Sequence, residues 1–82
     1  MIQQEFALVL RRRRTDKRYT QQALADAANL SLRYIQELEA GQKQPTLTTI
    51  MWLAVGLDVT PQELLAPIWD KWQKNRATGR DA

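Results

Sequence analysis

A recurring arrangement of one hydroxyl-bearing residue and two apolar residues marks four helix starts along the chain. At each start a Ser or Thr follows an apolar residue or a proline, and another apolar residue occurs four positions later. The hydroxyl can accept a hydrogen bond from an unpaired backbone N–H, while the two apolar side chains pack together. The four hydroxyl residues are Thr20, Ser31, Thr46 and Thr60. Their spacing predicts helices over residues 20–28, 31–40, 46–55 and 61–65.

The residue types at the ends of these helices support the same boundaries. The fourth start has Pro61 in the first helical position, and Glu63 completes a capping box with the hydroxyl residue. Asn29, Gly41 and Asp58 occur where three of the helices should stop, and these residue types tolerate a left-handed backbone.

One more helix is predicted at the N-terminal side. Phe6, Val9 and Leu10 recur on one helical face, which predicts a helix over residues 2–17. The next position on this face is Arg14. Because an arginine on an apolar face requires a buried carboxylate partner, the rest of the chain must supply one.

The C-terminal segment predicts a separate last helix. Pro67 is suited to the first turn of a helix that reaches about Asn75 and carries Trp69 and Trp72. Residues 76–82 are expected to fray. All the predicted elements are helical, so the fold class is all-α.

The second and third helices meet the requirements of a helix-turn-helix. Their connection is too short for a long antiparallel hairpin, so the two helices must cross steeply. Ala25 is a small residue for the point of contact, and Asn29 suits a turn with positive φ. Ile35 and Leu38 supply an apolar inner face on the second helix of the motif.

Residues 5–65 resemble a Cro/repressor-type (XRE) helix-turn-helix domain. The stretches that carry this resemblance are TQQALA at 20–25, YIQELEAG at 34–41, PTL at 45–47 and LDVTPQELL at 57–65. It implies a five-helix lambda-repressor-like domain in residues 1–66, and residues 67–82 are expected to form a C-terminal helical extension and frayed tail. It also implies that Arg14 and Glu39 form a buried structural pair. Arg13, Ala23 and Asn29 depart from the usual apolar residue, glutamate and glycine.

The family resemblance implies that the helix over residues 31–40 enters the major groove of double-stranded DNA. Arg33 is then suited to guanine, Leu32 to a thymine methyl group and Gln36 to adenine. Glu37 either accepts from cytosine or orients Arg33, and Tyr34 either reaches the sugar-phosphate or packs at the helix edge. The expected DNA-binding residues are Arg14, Gln21, Leu32, Arg33, Tyr34, Gln36, Glu37, Gln42 and Lys43.

The charge distribution agrees with a polyanionic partner. The net charge is +3. Residues 11–18 contain six basic residues against Asp16 alone, which gives this short block a net charge of +5. A basic block attracts nucleic acid through long-range, salt-dependent forces, although the same cations also suit the end of a helix.

Apolar residues beyond the needs of the core indicate a homodimer. The inner faces of the fourth and fifth helices are expected to use Leu47, Ile50, Leu53, Ala54, Leu57 and Leu64. The surplus residues, which form the expected dimer interface, are Trp52, Val55, Leu65, Ile68, Trp69 and Trp72. The alternative is that the last helix folds back and buries the tryptophans in its own domain.

Two functions follow from these features. The first is a sequence-specific transcriptional regulator that acts as a dimer on a palindromic operator. Dipeptides at 29–30 and 34–35 are also similar to restriction-modification controller proteins, which fits this reading. The second is an antitoxin, or another protein-interaction module, that uses the tryptophan-bearing segment to bind a protein partner and binds DNA secondarily.

The composition argues against catalysis. The 82 residues include no Cys and no His, so thiolate nucleophiles, the usual zinc ligands and the commonest general base are missing. We therefore expect no enzymatic activity, no metal and no cofactor. No apolar run approaches the roughly 18 residues that span a bilayer, and no signal-peptide pattern is present. The expected location is the cytoplasm.

Overall fold

The computed structural model describes residues 2–77, and within this range the chain forms five helices and no β-strand. The helices are α1 (Ile2–Asp16), α2 (Gln21–Ala28), α3 (Leu32–Glu39), α4 (Leu47–Leu57) and α5 (Pro61–Ala77). The all-α prediction is confirmed. The first four helices begin and end within two residues of the predicted boundaries.

At each predicted helix start the structure contains the expected capping hydrogen bond. The hydroxyls of Thr20, Ser31 and Thr46 accept from the backbone N–H three residues later at 3.0, 3.1 and 3.1 Å. Thr60 and Glu63 form the reciprocal capping box, with both backbone-to-side-chain distances at 3.1 Å. The bonds from the Thr60 backbone and hydroxyl, with a weaker attraction from Arg13, lower the pKa of the Glu63 carboxyl below its ordinary value.

The first four helices all end in the same backbone motif. Each is followed by a left-handed residue, and the N–H of the next residue donates to a carbonyl five positions back at 2.9–3.1 Å. This is the Schellman arrangement, which satisfies carbonyls that the helix leaves unpaired. The left-handed residues are Arg18, Asn29, Gly41 and Asp58, with φ of 59°, 58°, 72° and 56°. Three of the predicted stops are confirmed, and Arg18 adds a fourth that its residue type did not predict.

The core lies where α1, α2 and α3 meet α4 and the middle of α5. Its buried apolar residues are Phe6, Leu10, Leu24, Ala25, Ala28, Ile35, Leu38, Ile50, Leu53, Ala54, Leu57, Leu64 and Ile68. Helices α2 and α4 approach each other closely at Gly56, where an added Cβ would lie 2.9 Å from the backbone of Ala28. The glycine therefore allows the close contact that holds the helix-turn-helix on the rest of the domain.

Two expectations about the C-terminal half were wrong. Pro67 does not open a separate helix but lies inside α5, which continues past the expected boundary between residues 66 and 67. Proline removes one helical hydrogen bond, and the burial of Leu64 and Ile68 on one face of this segment offsets that cost. Ile68, expected at the dimer interface, is only 7% exposed and belongs to the core of its own chain.

The expected core position at Leu47 was also wrong. Its side chain is 68% exposed. Leu47 is the first residue of α4, and a helical side chain is directed back toward the N-terminus of its helix. The side chain therefore lies beyond the edge of the core, and Thr49 and Ile50 are the first buried residues of α4. The expected frayed tail begins at 76, but α5 extends to Ala77, and 78–82 lie outside the described residues.

Candidate nucleic-acid interface

The turn between α2 and α3 sets which face of α3 points outward. Asn29 takes the left-handed conformation, and the N–H of Leu30 donates to the Ala25 carbonyl at 2.9 Å. Ser31 then caps α3, so only three residues separate the two helices. Ile35 and Leu38 are fully buried against the core. The opposite face of α3 is therefore left on the surface.

The outward face of α3 brings three charged side chains together. The Arg33 side chain is 87% exposed, and its Nε lies 3.6 Å from Glu37 Oε2. The other Glu37 oxygen, Oε1, lies 3.5 Å from Nζ of Lys43 in the following loop. A single carboxylate therefore contacts one cation in the first turn of α3 and another in the following loop, and the contact with Arg33 is the i,i+4 alternative expected for Glu37. Gln36 is also exposed, while Leu32 is half-buried.

A buried ion pair fixes α3 relative to α1. Arg14 Nε donates to Glu39 Oε2 at 2.6 Å, and Arg14 Nη2 donates to Oε1 at 3.0 Å. The third nitrogen, Nη1, donates to the carbonyl of Tyr19 at 2.9 Å. The Glu39 side chain is 1% exposed. The partner that the apolar face of α1 required is thus Glu39, in the pair that the family resemblance implies.

The same carboxylate engages the start of α2. Gln21 Nε2 donates to Glu39 Oε1 at 3.0 Å, so the side-chain amide does not point freely outward as expected. The amide is drawn inward because Glu39 is buried and its oxygens must be satisfied by hydrogen bonds. Gln21 still begins α2, where the first backbone N–H groups lack acceptors within the helix. Its role toward a phosphate remains a prediction.

Tyr34 takes the packing alternative in this structure. Its hydroxyl shares a hydrogen bond of 3.0 Å with Thr49 Oγ1, and Thr49 Oγ1 lies 2.9 Å from Thr46 Oγ1. The ring packs against the core and is half-buried. The sequence reasoning identified Thr46 as a cap but missed Thr49, which is 3 residues further on and buried. The sequence feature that could have identified Thr49 is its position on the inner face of the helix predicted over residues 46–55.

Most of the expected interface residues on α4 and α5 leave apolar side chains on the surface. Trp52, Val55, Leu65 and Trp69 are exposed, and Trp72 is half-buried. An apolar groove of about 340 Å³ runs along α5, lined by Ile2, Leu65, Ile68, Trp69 and Trp72. Trp52 and Trp69 do not enter the core, whereas α5 packs on α1 and α4 through Ile68, which is buried.

Other kinds of site find no support among residues 2–77. In this part of the chain no cluster of three or more His, Cys, Asp or Glu side chains could hold a metal ion. The five helices include none that is long and apolar enough to cross a membrane.

Known proteins share both the sequence pattern and the fold. A family model described as "Helix-turn-helix" matches residues 10–64. The restriction-modification controller protein C.AhdI from Aeromonas hydrophila is 37% identical, with 76% of this chain and 94% of the controller covered and a TM-score of 0.73. The clp gene regulator ClgR from C. glutamicum is 25% identical over 87% of this chain and 92% of its own, with a TM-score of 0.78. The controller protein C.Esp1396I, at 23% identity, 85% and 90% coverage and a TM-score of 0.78, shares the fold. No curated protein sequence matches significantly.

Proposed function

The chain belongs to the helix-turn-helix family and is a DNA-binding transcriptional regulator; from this premise we propose that it binds a palindromic operator as a homodimer and reads it with α3. The observation that carries the proposal is the exposed Arg33 on a helix that the buried Arg14–Glu39 pair holds in place. A side chain that contacts bases must be exposed to the DNA, while the helix that carries it must be held in a fixed orientation.

The outward residues of α3 are suited to direct readout of bases. The Arg33 guanidinium can donate to O6 and N7 of guanine in two parallel hydrogen bonds, which discriminates against other bases by about 1–3 kcal/mol. Glu37 holds Arg33 within 3.6 Å and so limits the directions in which the guanidinium extends. Leu32 and Gln36 flank it and are suited to a thymine methyl group and an adenine edge.

The surrounding residues are suited to phosphates and set the register on the duplex. Gln42 and Lys43 follow α3 and are exposed, and Gln21 begins α2, whose N-terminal N–H groups favour an anion. Arg14 has all three nitrogens engaged and its side chain is 14% exposed, so it contributes at most an edge contact. Tyr34 acts mainly through its hydrogen bond to Thr49.

A dimer explains the exposed apolar surface on α4 and α5. One module makes few phosphate contacts and binds weakly at physiological salt, whereas two modules on adjacent half-sites bind tightly. The proposed interface residues are Trp52, Val55, Leu65, Trp69 and Trp72, with Ile68 supporting them from beneath. Exposed tryptophans at this surface fit the residue preference of interface centres. A regulator of this kind works beside the DNA, in the cytoplasm.

Selection of bound sequences from random duplexes tests the reading mechanism. We expect an enriched palindrome whose half-sites are about one helical turn, or roughly 10 base pairs, apart. Arg33→Ala should relax the preference at one base pair in each half-site. Arg12→Ala removes the same charge from an exposed position on α1 and should leave the preference unchanged. Absence of any enriched sequence would refute the proposal.

Sedimentation of the free protein tests the dimer separately. Trp69→Ala should shift the equilibrium toward the monomer, whereas Leu47→Ala, at another exposed apolar residue, should not. The exposed tryptophans also favour one other function, the antitoxin-type module. That function predicts a stoichiometric heterologous partner that is lost in the Trp69→Ala variant, in place of a homodimer.

A further inference from the structure

A second groove, formed by α1 and α5, combines apolar and basic side chains. Its volume is about 420 Å³, and its lining residues are Leu8, Val9, Arg12, Arg13, Asp16 and Pro67. None of them belongs to α2 or α3, so the groove is separate from the proposed reading surface. Leu8 is 65% exposed, which leaves a large apolar side chain in water at this site.

The arginine run of α1 serves two different surfaces. Arg11 and Arg14 lie 3.7 and 2.6 Å from the Glu39 carboxylate and so face α3. Arg12 and Arg13 line the groove instead. Within residues 2–77 neither of these two arginines forms a side-chain hydrogen bond or a salt bridge, and Arg13 attracts Glu63 only at longer range. Two of the four consecutive arginines, Arg12 and Arg13, are therefore left without a direct side-chain partner among the described residues.

We propose that this groove docks an acidic amphipathic segment of a partner protein. The apolar side chains of the segment cover Leu8, Val9 and Pro67, and its carboxylates pair with Arg12 and Arg13. Two positive charges against the single negative charge of Asp16 select an acidic partner and repel a basic one. A DNA backbone offers charge but no apolar group to cover Leu8, so both features together favour a protein segment over a phosphate chain.

The position of the groove has a consequence for the regulator. Because α3 and the groove lie on different elements, the partner and the DNA can bind at the same time. The site thus provides a contact through which a DNA-bound regulator recruits, or is recognised by, another protein. This inference uses only the geometry of α1 and α5.

Peptide selection with a matched subtraction tests the inference. Random peptides displayed on phage are selected on the full 82-residue chain and depleted on a Leu8→Ser, Arg12→Gln, Arg13→Gln variant. The expected enriched peptides carry a net negative charge and large apolar residues. They are then titrated into the isotope-labelled protein, and the shifted backbone amides should map to Leu8, Val9 and the residues on either side of Pro67.

Paired charge variants separate docking from general attraction. Arg12→Gln with Arg13→Gln should weaken the enriched peptide about tenfold or more. Arg11→Gln with Arg18→Gln removes the same two charges from the same basic block outside the groove, and should weaken it less than about threefold. Leu8→Ser alone should also weaken binding. All of these side chains are exposed or half-buried, so circular dichroism should show an unchanged helical spectrum.

Three results would overturn the inference. Enriched peptides that are neutral, basic or without apolar residues would contradict the chemistry of the groove. Equal weakening by the two paired variants would show a general charge effect and no docking site. Shifts of the groove amides on adding a DNA duplex without peptide would show that this surface binds phosphates. None of these outcomes bears on the reading role of Arg33, which the sequence selection tests.

Discussion

Replacing Arg14 with methionine isolates the energetic role of the buried ion pair. The substitution keeps a straight apolar side chain on α1 but removes three hydrogen bonds, two to Glu39 at 2.6 and 3.0 Å and one to the Tyr19 carbonyl at 2.9 Å. The Glu39 carboxylate then keeps the Gln21 amide at 3.0 Å and a distant, largely exposed Arg11 at 3.7 Å. A buried charge is left with too few partners.

The expected loss is large for a domain of this size. Removing one partner of a buried pair costs about 3–5 kcal/mol in free energy of unfolding. Small domains have a total of about 5–15 kcal/mol, so the variant should lose at least about a fifth of its stability. At about 4–8 °C per kcal/mol for a domain of this length, Tm should fall by well over 10 °C.

A double-mutant cycle at fixed protein concentration measures the interaction itself. Thermal and urea unfolding, followed by far-ultraviolet circular dichroism, give the stability of Arg14→Met, Glu39→Met and the double variant. We expect the double variant to be more stable than either single variant, because two apolar side chains replace the pair without leaving a buried charge. A loss below about 1 kcal/mol for Arg14→Met would match an exposed pair and refute the reasoning.

Three further predictions concern single residues. Gly56→Ala should destabilise the fold by about 1–3 kcal/mol in urea unfolding, because the new Cβ would lie 2.9 Å from the Ala28 backbone; no loss would show that α2 and α4 separate freely. Arg18→Gly should raise the unfolding free energy by up to about 1 kcal/mol by relieving a φ of 59°, whereas Arg12→Gly, inside α1, should lower it. An NMR titration should give the Glu63 carboxyl a pKa below its ordinary value. Because the pKa of Glu63 is lower in the folded state than in the unfolded state, its contribution to stability is present when the pH lies above the unfolded-state pKa. This contribution is lost as the pH falls through the folded-state pKa. Thr60→Ala should raise the pKa of Glu63 part of the way to its ordinary value, because the hydroxyl hydrogen bond is lost. An unchanged pKa would contradict the hydroxyl contribution.

The local features of the fold could be predicted from the sequence because each depends on a few neighbouring residues. A cap needs one hydroxyl and the N–H three residues later, so Thr20, Ser31 and Thr46 were identifiable without any tertiary information. The same is true of Asn29 and Asp58, whose residue types suit a left-handed backbone.

The remaining features depend on how the helices pack, which the pattern alone does not contain. Pro67 reads as a helix start by residue type, but burial of Ile68 carries α5 through it. Leu47 has the spacing of a core residue, but α4 begins at the edge of the core. Gln21 was expected to face outward, and its amide turns inward because a buried carboxylate lies 3.0 Å away. In each case the packing of the helices decided the outcome, and the local pattern did not.

The carboxylate between Arg33 and Lys43 bears on how such a protein searches a genome. Both cations are partly neutralised by Glu37 before any encounter, at 3.6 and 3.5 Å. At an arbitrary site, the DNA phosphates must compete with the Glu37 carboxylate for the two cations. The phosphates also repel this carboxylate, so the protein stays at arbitrary sites for a shorter time. In the proposed reading by Arg33, a matching guanine offsets the disruption with two aligned hydrogen bonds. Under this proposal, the ratio of operator to background occupancy, on which selective control of a gene depends, rises even though the absolute attraction to DNA falls.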